Sequence, residues 1–406
     1  MATNEYSPIE YLIINHEIYC DQLDAFFSYV PHLRHLSLHL LHGYAIIPNK
    51  SFSSVLKYLT HVSLTLAYFT MFDTLEYLLI NYFLCVQVLH ISAGWEYLDA
   101  YRWEHLISTY LPNLRIFDAL FDINSFTDTE KLAIEQQLGF FRSSFWIDRQ
   151  WFFDYRLTQT EYGRNRILYS TIPYRRKDCT ISNHLNSILC VDEYGNIFTS
   201  VDHVHITNKE IMEKCLDYFP NATKLTLERR FSAATTQSMP ISLSRFLPLE
   251  QLQTLTIKCG RLSLLKMIEL LSYIPNLQTL KFESMPLYKE SKTSIEQNEI
   301  FQSVSKTNRV INVNYYSDCT LNELELLVKL FPRLQHLRIS IVNKTLKSIL
   351  RILLDNNKQN VPDLCLLSFP RVGEIYLKYL NNLINCGVIS SDQKAVHIGR
   401  TLYLWW

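Results

Sequence analysis

One nine-residue phrase recurs along the chain: apolar, Pro, any, apolar, any, any, apolar, any, apolar. It stands as VPHLRHLSL (Val30–Leu38), LPNLRIFDA (Leu111–Ala119), FPNATKLTL (Phe219–Leu227), IPNLQTLKF (Ile274–Phe282), FPRLQHLRI (Phe331–Ile339) and VPDLCLLSF (Val361–Phe369). Copies that keep the L-x-x-L-x-L spacing without the proline start at Leu59, Val86, Val201, Leu252 and Val310. Most successive copies lie roughly 21 to 33 residues apart, which brackets the period of leucine-rich repeats. One gap, from Leu114 to Val201, is far longer.

The spacing has a mechanical meaning. Alternate side chains of a strand face one side, so the last two apolar positions of each phrase point into one core. The proline cannot continue a helix and biases its predecessor toward extended backbone, so each phrase ends one helix and starts one strand. Helical periodicity precedes several phrases, over Cys20–Tyr29, Asn208–Tyr218, Ser263–Tyr273 and Thr320–Leu330, with Asn208 and Thr320 as suitable N-caps. A strand and a helix per unit, stacked in parallel, predict an α/β leucine-rich-repeat solenoid: an irregular, helix-backed horseshoe with parallel inner strands. The standard signature's Asn or Cys after the strand is not kept consistently, Cys259 falling one residue early, and the units are uneven in length.

The long gap holds FFRSSFWIDRQWFFDYRLTQTEYGRNRILYSTIPYRRKD (Phe140–Asp178). Aromatic and β-branched residues flank the polar turn TQTEYGRN, which predicts a β-hairpin with arms near Trp151–Leu157 and Arg166–Tyr174, projecting from the stack or covering it. The expected organisation is therefore repeats over 1–138, an aromatic and basic hairpin insertion over 139–198, and repeats with a closing cap over 199–406, as one continuous solenoid. The tail LYLWW, with Trp405 and Trp406, is expected to cap the last repeat.

Composition narrows the function classes. The 406 residues are 48% hydrophobic and 19% charged, with only 9 Gly and 13 Pro, so the chain can bury a large core and has little room for disorder. Lys+Arg and Asp+Glu are both 39, which removes the basic excess that draws proteins to phosphate backbones, so nucleic acid is not the expected partner. The most apolar segment, Leu75–Ile91, is interrupted by Glu76, Asn81, Gln87 and His90 and reads as a core helix running into a strand; no membrane association is expected. The first residues lack the basic-then-apolar order of a signal peptide, and the nine cysteines contain no CxxC pair. A cytoplasmic or nuclear protein with reduced thiols is expected.

SPIEYLIINHEI near the start, the block FRSSFW…WFFDYR…ILYSTIPYRRKD and the closing LYLWW together resemble rotifer proteins described as F-box domain-containing, in which an F-box precedes degenerate leucine-rich repeats. The resemblance covers nearly the whole chain, with the hairpin block its most specific part. It implies a substrate receptor of a cullin-type ubiquitin ligase whose repeats hold a protein target. No F-box helices stand ahead of SPIEYL here, so a Skp-type adaptor is expected as partner only where an F-box precedes the chain.

No G-x-S-x-G, P-loop, H-E-x-x-H or G-x-G-x-x-G occurs, so no enzyme, no catalytic residue, no metal and no cofactor are expected. His32, His35, His39 and His42 crowd one strand and its exit; alternation puts His35 and His39 opposite Leu36 and Leu38, where polar residues belong. Arg164, Arg166, Arg175, Arg176 and Lys177, with Tyr169 and Tyr174 interleaved, form the candidate partner contact. Such a patch suits an acidic peptide or phosphate, or stacks on single-stranded RNA. The expected function is a protein-binding scaffold; the alternatives are a structural or vestigial solenoid and RNA binding through the basic hairpin.

Overall fold

A computed structural model describes residues 6–43, 56–68, 70–124, 136–137, 139–159, 165–172, 174–181, 198–208, 212–213, 215, 217–230, 238–259, 262–283, 292–340, 346–354, 362–371, 377, 382 and 394–405. The chain is an α/β protein with two largely parallel sheets. It divides into two compact units, one of Met1–Arg175 with Ser182–Ile197, the other of Arg176–Ile181 with Phe198–Trp406.

The first unit carries an eight-stranded sheet: β1 (Tyr11–Ile14), β2 (Ile18–Tyr19), β3 (His35–His42), β4 (His61–Leu66), β5 (Val88–Gly94), β6 (Ile116–Asn124), β7 (Phe152–Gln159) and β8 (Asn165–Ile172). Its order is β1-β3-β4-β5-β6-β8-β7, with β2 also on β3. The pairs are parallel as far as β6, after which β8 and β7 run antiparallel. The second unit carries a ten-stranded sheet: β9 (Asp178–Ile181), β10 (His203–Asn208), β11 (Lys224–Arg230), β12 (Thr254–Lys258), β13 (Thr279–Phe282), β14 (Asn312–Asp318), β15 (His336–Ser340), β16 (Leu366–Pro370), β17 (Lys394–Ile398) and β18 (Thr401–Trp405). Strands β9 to β16 are parallel neighbours in sequence order; β18 then pairs antiparallel with β16, and β17 with β18.

Each of the eleven phrases enters a strand, β3 to β6 in the first unit and β10 to β16 in the second. The prolines sit second in turns closed by an i to i+3 bond: Leu33 N–H donates to Val30 O, Leu114 to Leu111, Ala222 to Phe219, Leu277 to Ile274 and Leu334 to Phe331. Proline's fixed φ suits that position of a turn, where its missing N–H costs nothing. Just beyond, one carbonyl accepts two consecutive N–H groups from the following phrase. Arg34 O takes those of Thr60 and His61, Thr60 O those of Gln87 and Val88, and Gln253 O those of Gln278 and Thr279. This shared acceptor sets the register, and the register stacks the anchors. Leu36, Val62, Leu89 and Phe117 form one row; Leu225, Leu255, Leu280, Val313, Leu337 and Leu367 form another. All are buried, each anchor contributing about 1.5–3 kcal/mol of burial that depends on its neighbours being present.

Helices cover the core side. Cys20–Tyr29, Leu264–Ser272 and Leu321–Leu330 lie where the periodicity predicts, and Thr320 caps the last through a reciprocal capping box with Glu323. Asn208 does not start a helix; it is the last residue of β10, because the strand persists in pairing with β11 past a register shift. Of the helix expected over 208–218, residues 209–211, 214 and 216 lie outside the described residues. Phe72–Asn81 is helical and leads to β5, as the apolar run Leu75–Ile91 suggests. No helix among the described residues is long and apolar enough to cross a membrane.

In place of a repeated Asn or Cys after the strand, single side chains satisfy the turns. Thr70 Oγ1 donates to Leu41 O at 2.8 Å, and Tyr97 OH to Thr70 O at 2.7 Å. Asn308 does the same between helices: its buried amide donates to Val304 O (2.6 Å) and Leu330 O (2.8 Å), and its oxygen accepts from Val310 N–H (3.2 Å). Asn308→Ala leaves those backbone groups without the amide and is expected to cost about 1–3 kcal/mol. The check is a lower urea midpoint with an unchanged slope.

The hairpin is β7 and β8, its arms close to the expected ones. It extends the first sheet at the β6 edge, with Leu120 to Asn124 of β6 opposite Ser170 to Arg166 of β8. The segment 139–198 is thus shared out: the hairpin belongs to the first sheet and β9 to the second. The tail forms β18; Trp405 is partly exposed at its end and Trp406 lies outside the described residues.

Candidate functional site

The face of each sheet opposite the leucines presents polar side chains in rows set by the same register. In the second sheet one row runs Asp178, His203, Lys224, Thr254, Thr279, Asn312 and His336, and the next runs Thr180, His205, Thr226, Thr256, Lys281, Asn314, Arg338 and Ser368. Neighbours bond across strands: Asn312 Nδ2 donates to Thr279 Oγ1 (3.3 Å), Lys224 pairs with Asp202 (2.6 Å) and Lys258 with Glu228 (2.9 Å). The Lys224 ammonium and the Thr223 hydroxyl hold Asp202 below the usual carboxylate range.

At the β9–β10 end of this face three side chains converge. His203 Nδ1 lies 2.8 Å from Asp178 Oδ1, His205 Nε2 lies 3.1 Å from His203 Nδ1 and 3.8 Å from Asp178 Oδ1. His203 Nε2 meets Thr226 Oγ1 at 2.8 Å, and the two imidazole centroids are 3.9 Å apart. Burial, then the neighbouring His203, lowers the pKa of His205 from its ordinary 6.5. The group is the one cluster of three such residues found within ligating distance among the described residues. Sequence reading passed over it: VDHVHI registers as a weak repeat copy, and Asp178 is 25 residues from His203. The available signal was the His-x-His alternation, which places both imidazoles on one strand face.

The first sheet carries a ring ladder on its corresponding face. His35 stacks between Tyr11 (4.2 Å) and His61 (4.1 Å), and His90 Nδ1 bonds Asp118 Oδ2 at 2.7 Å. Asp118 is buried and also accepts from Thr171 Oγ1 (3.0 Å) of β8. As alternation predicts, His35 and His39 lie opposite the buried Leu36 and Leu38. Burial, then His35 and His90, lowers the pKa of His61 from 6.5. The unfolded chain therefore takes up this proton first as pH falls, so stability rises with pH across the interval. The His61 contribution is complete above 6.5 and lost as pH falls toward the lower folded value. The melting temperature of the first unit is expected to drop on acidification from above 6.5, and the drop to shrink in His61→Gln.

The residues of the basic cluster are described only in part. Arg164 lies outside the described residues, and of Arg166 and Tyr169 only the β8 backbone is described. Tyr174 is buried, 6% exposed, so its ring offers no face to a stacking base. Arg175 is half-buried in the first unit, whereas half-buried Arg176 and exposed Lys177 belong to the second, where Lys177 O accepts from Asp202 and His203 N–H. Seven cysteines are free thiols among the described residues. Burial pushes those of Cys20, Cys259 and Cys319 up to about 12, so they stay protonated at neutral pH. No protein-family model matches the chain, and no curated protein matches it.

Proposed function

We propose that the chain is a leucine-rich-repeat solenoid that binds a protein target on its polar strand face. The observation that carries this reading is the register: shared backbone acceptors align Lys281, Asn314 and Arg338 with their neighbours on adjacent strands, making an ordered polar surface from residues distant in sequence. A surface on rigid strands presents side chains with little ordering cost on binding. The eleven phrases support the repeat architecture. The resemblance of the hairpin block and tail to F-box receptors supports the target-binding region of a ubiquitin-ligase receptor, with a Skp-type adaptor where an F-box precedes it.

Photo-crosslinking side chains placed at Lys281 or Arg338 are expected to yield discrete adducts in a native extract, and one at Lys306, exposed on the helix Glu299–Thr307, none. Equal adducts from both faces, or none from the strand face, overturn the reading.

A further inference from the structure

The converging group on β9 and β10 has a property that target binding does not require. Its three donor atoms, Asp178 Oδ1, His203 Nδ1 and His205 Nε2, are separated by 2.8, 3.1 and 3.8 Å. Three atoms so spaced share a point about 2 Å from each, the length of Zn–N and Zn–O bonds. Backbone register creates the group: β10 sets His203 opposite Asp178, and alternation brings His205 to the same face.

No placement of a single proton satisfies all three atoms. If His203 Nδ1–H donates to Asp178, the proton is directed away from the His205 Nε2 lone pair 3.1 Å off. If His205 Nε2–H donates to His203 Nδ1 instead, the carboxylate oxygen meets a lone pair at 2.8 Å. A divalent cation resolves both conflicts. Thr226 completes the arrangement: its Oγ1 lies 2.8 Å from His203 Nε2, and in the tautomer that carries its hydrogen on Nε2 it accepts that hydrogen and leaves the Nδ1 lone pair for a metal. A partner on the second ring nitrogen is what orients metal-ligating histidines.

We propose that Asp178, His203 and His205 form a binding site for a divalent transition-metal ion of the zinc class. Two imidazole nitrogens and one carboxylate suit zinc, nickel or copper; magnesium and calcium favour oxygen sets. Three protein donors leave at least one coordination position for water or an added ligand. The Asp178 side chain is 69% exposed, so the ion has a path in from solvent. The site stands independently of the target-binding reading.

The test is titration of the reduced full-length chain with zinc against a chromophoric chelator. Wild type is expected to bind one equivalent that His203→Asn/His205→Gln loses or holds at least about ten-fold more weakly. Asp178→Asn is expected to weaken the same equivalent, and His35→Asn, on the first sheet, to leave it unchanged. A large excess of magnesium should not displace it. Metal-free melting curves verify that the variants fold; should the double variant fail to fold, exposed Asp178→Asn carries the test alone. Cobalt substituted for zinc should give visible absorption that changes in Asp178→Asn. Unchanged zinc affinity and stoichiometry in Asp178→Asn overturns the proposal, as does the absence of any zinc bound below millimolar concentration.

Discussion

Leu337→Asp is expected to unfold the second unit. Leu337 is 1% exposed and lies in register between Val313 and Leu367, in a row continued by Leu280, Leu255 and Leu225. A carboxylate there stands between the buried Val313 and Leu367. The cost of burying it unpaired is of the order of a domain's whole stability, about 5–15 kcal/mol. Leu337→Ala removes the packing without adding charge and should cost about 2–5 kcal/mol. Gln278→Asp, exposed at the entry to β13, should stay within about 0.5 kcal/mol of wild type. Circular dichroism and urea unfolding of the three variants separate these outcomes; a Leu337→Asp protein melting like wild type would sink the core assignment.

Trp146→Ala is the second large effect, expected at about 3–5 kcal/mol on the first unit. Trp146 is fully buried among Phe141 (4.9 Å), Phe145 (4.9 Å), Phe153 (5.6 Å), Phe117 (5.9 Å) and Trp151 (6.2 Å). Phe117 is the last leucine-position anchor of the parallel run, on β6. The aromatic block thus packs against this end of the first unit's core. The indole Nε1 has no hydrogen-bond partner among the described residues, so Trp146→Phe removes a buried unpaired donor and should cost far less than Trp146→Ala. Equal losses in the two variants would mean that the indole, not the packing, matters.

The anchors were legible because alternation and burial are local: Leu36 and Leu38, or Leu280 and Phe282, announce their face within three residues. The hairpin arms were legible for the same reason, but not their place, since pairing with β6 joins residues such as Phe121 and Tyr169 that no local pattern links. β1 and β9 lack the phrase; each four-residue strand is recruited by its longer neighbour, β3 or β10. The Asp178 cluster required that recruitment, and so was hidden.

Both sheets end alike. The last parallel strand, β6 or β16, pairs with the second arm of an antiparallel hairpin, and the first arm is outermost. Among the described residues these hairpins are the most sequence-local strand pairs, closed in microseconds where each parallel pair must first close a crossover. They hold the last strands of their sheets in chain order. During synthesis the fastest-forming edge of each sheet therefore emerges after the strands that need it, and assembly is expected to run from the C-terminal end of each unit back toward its start.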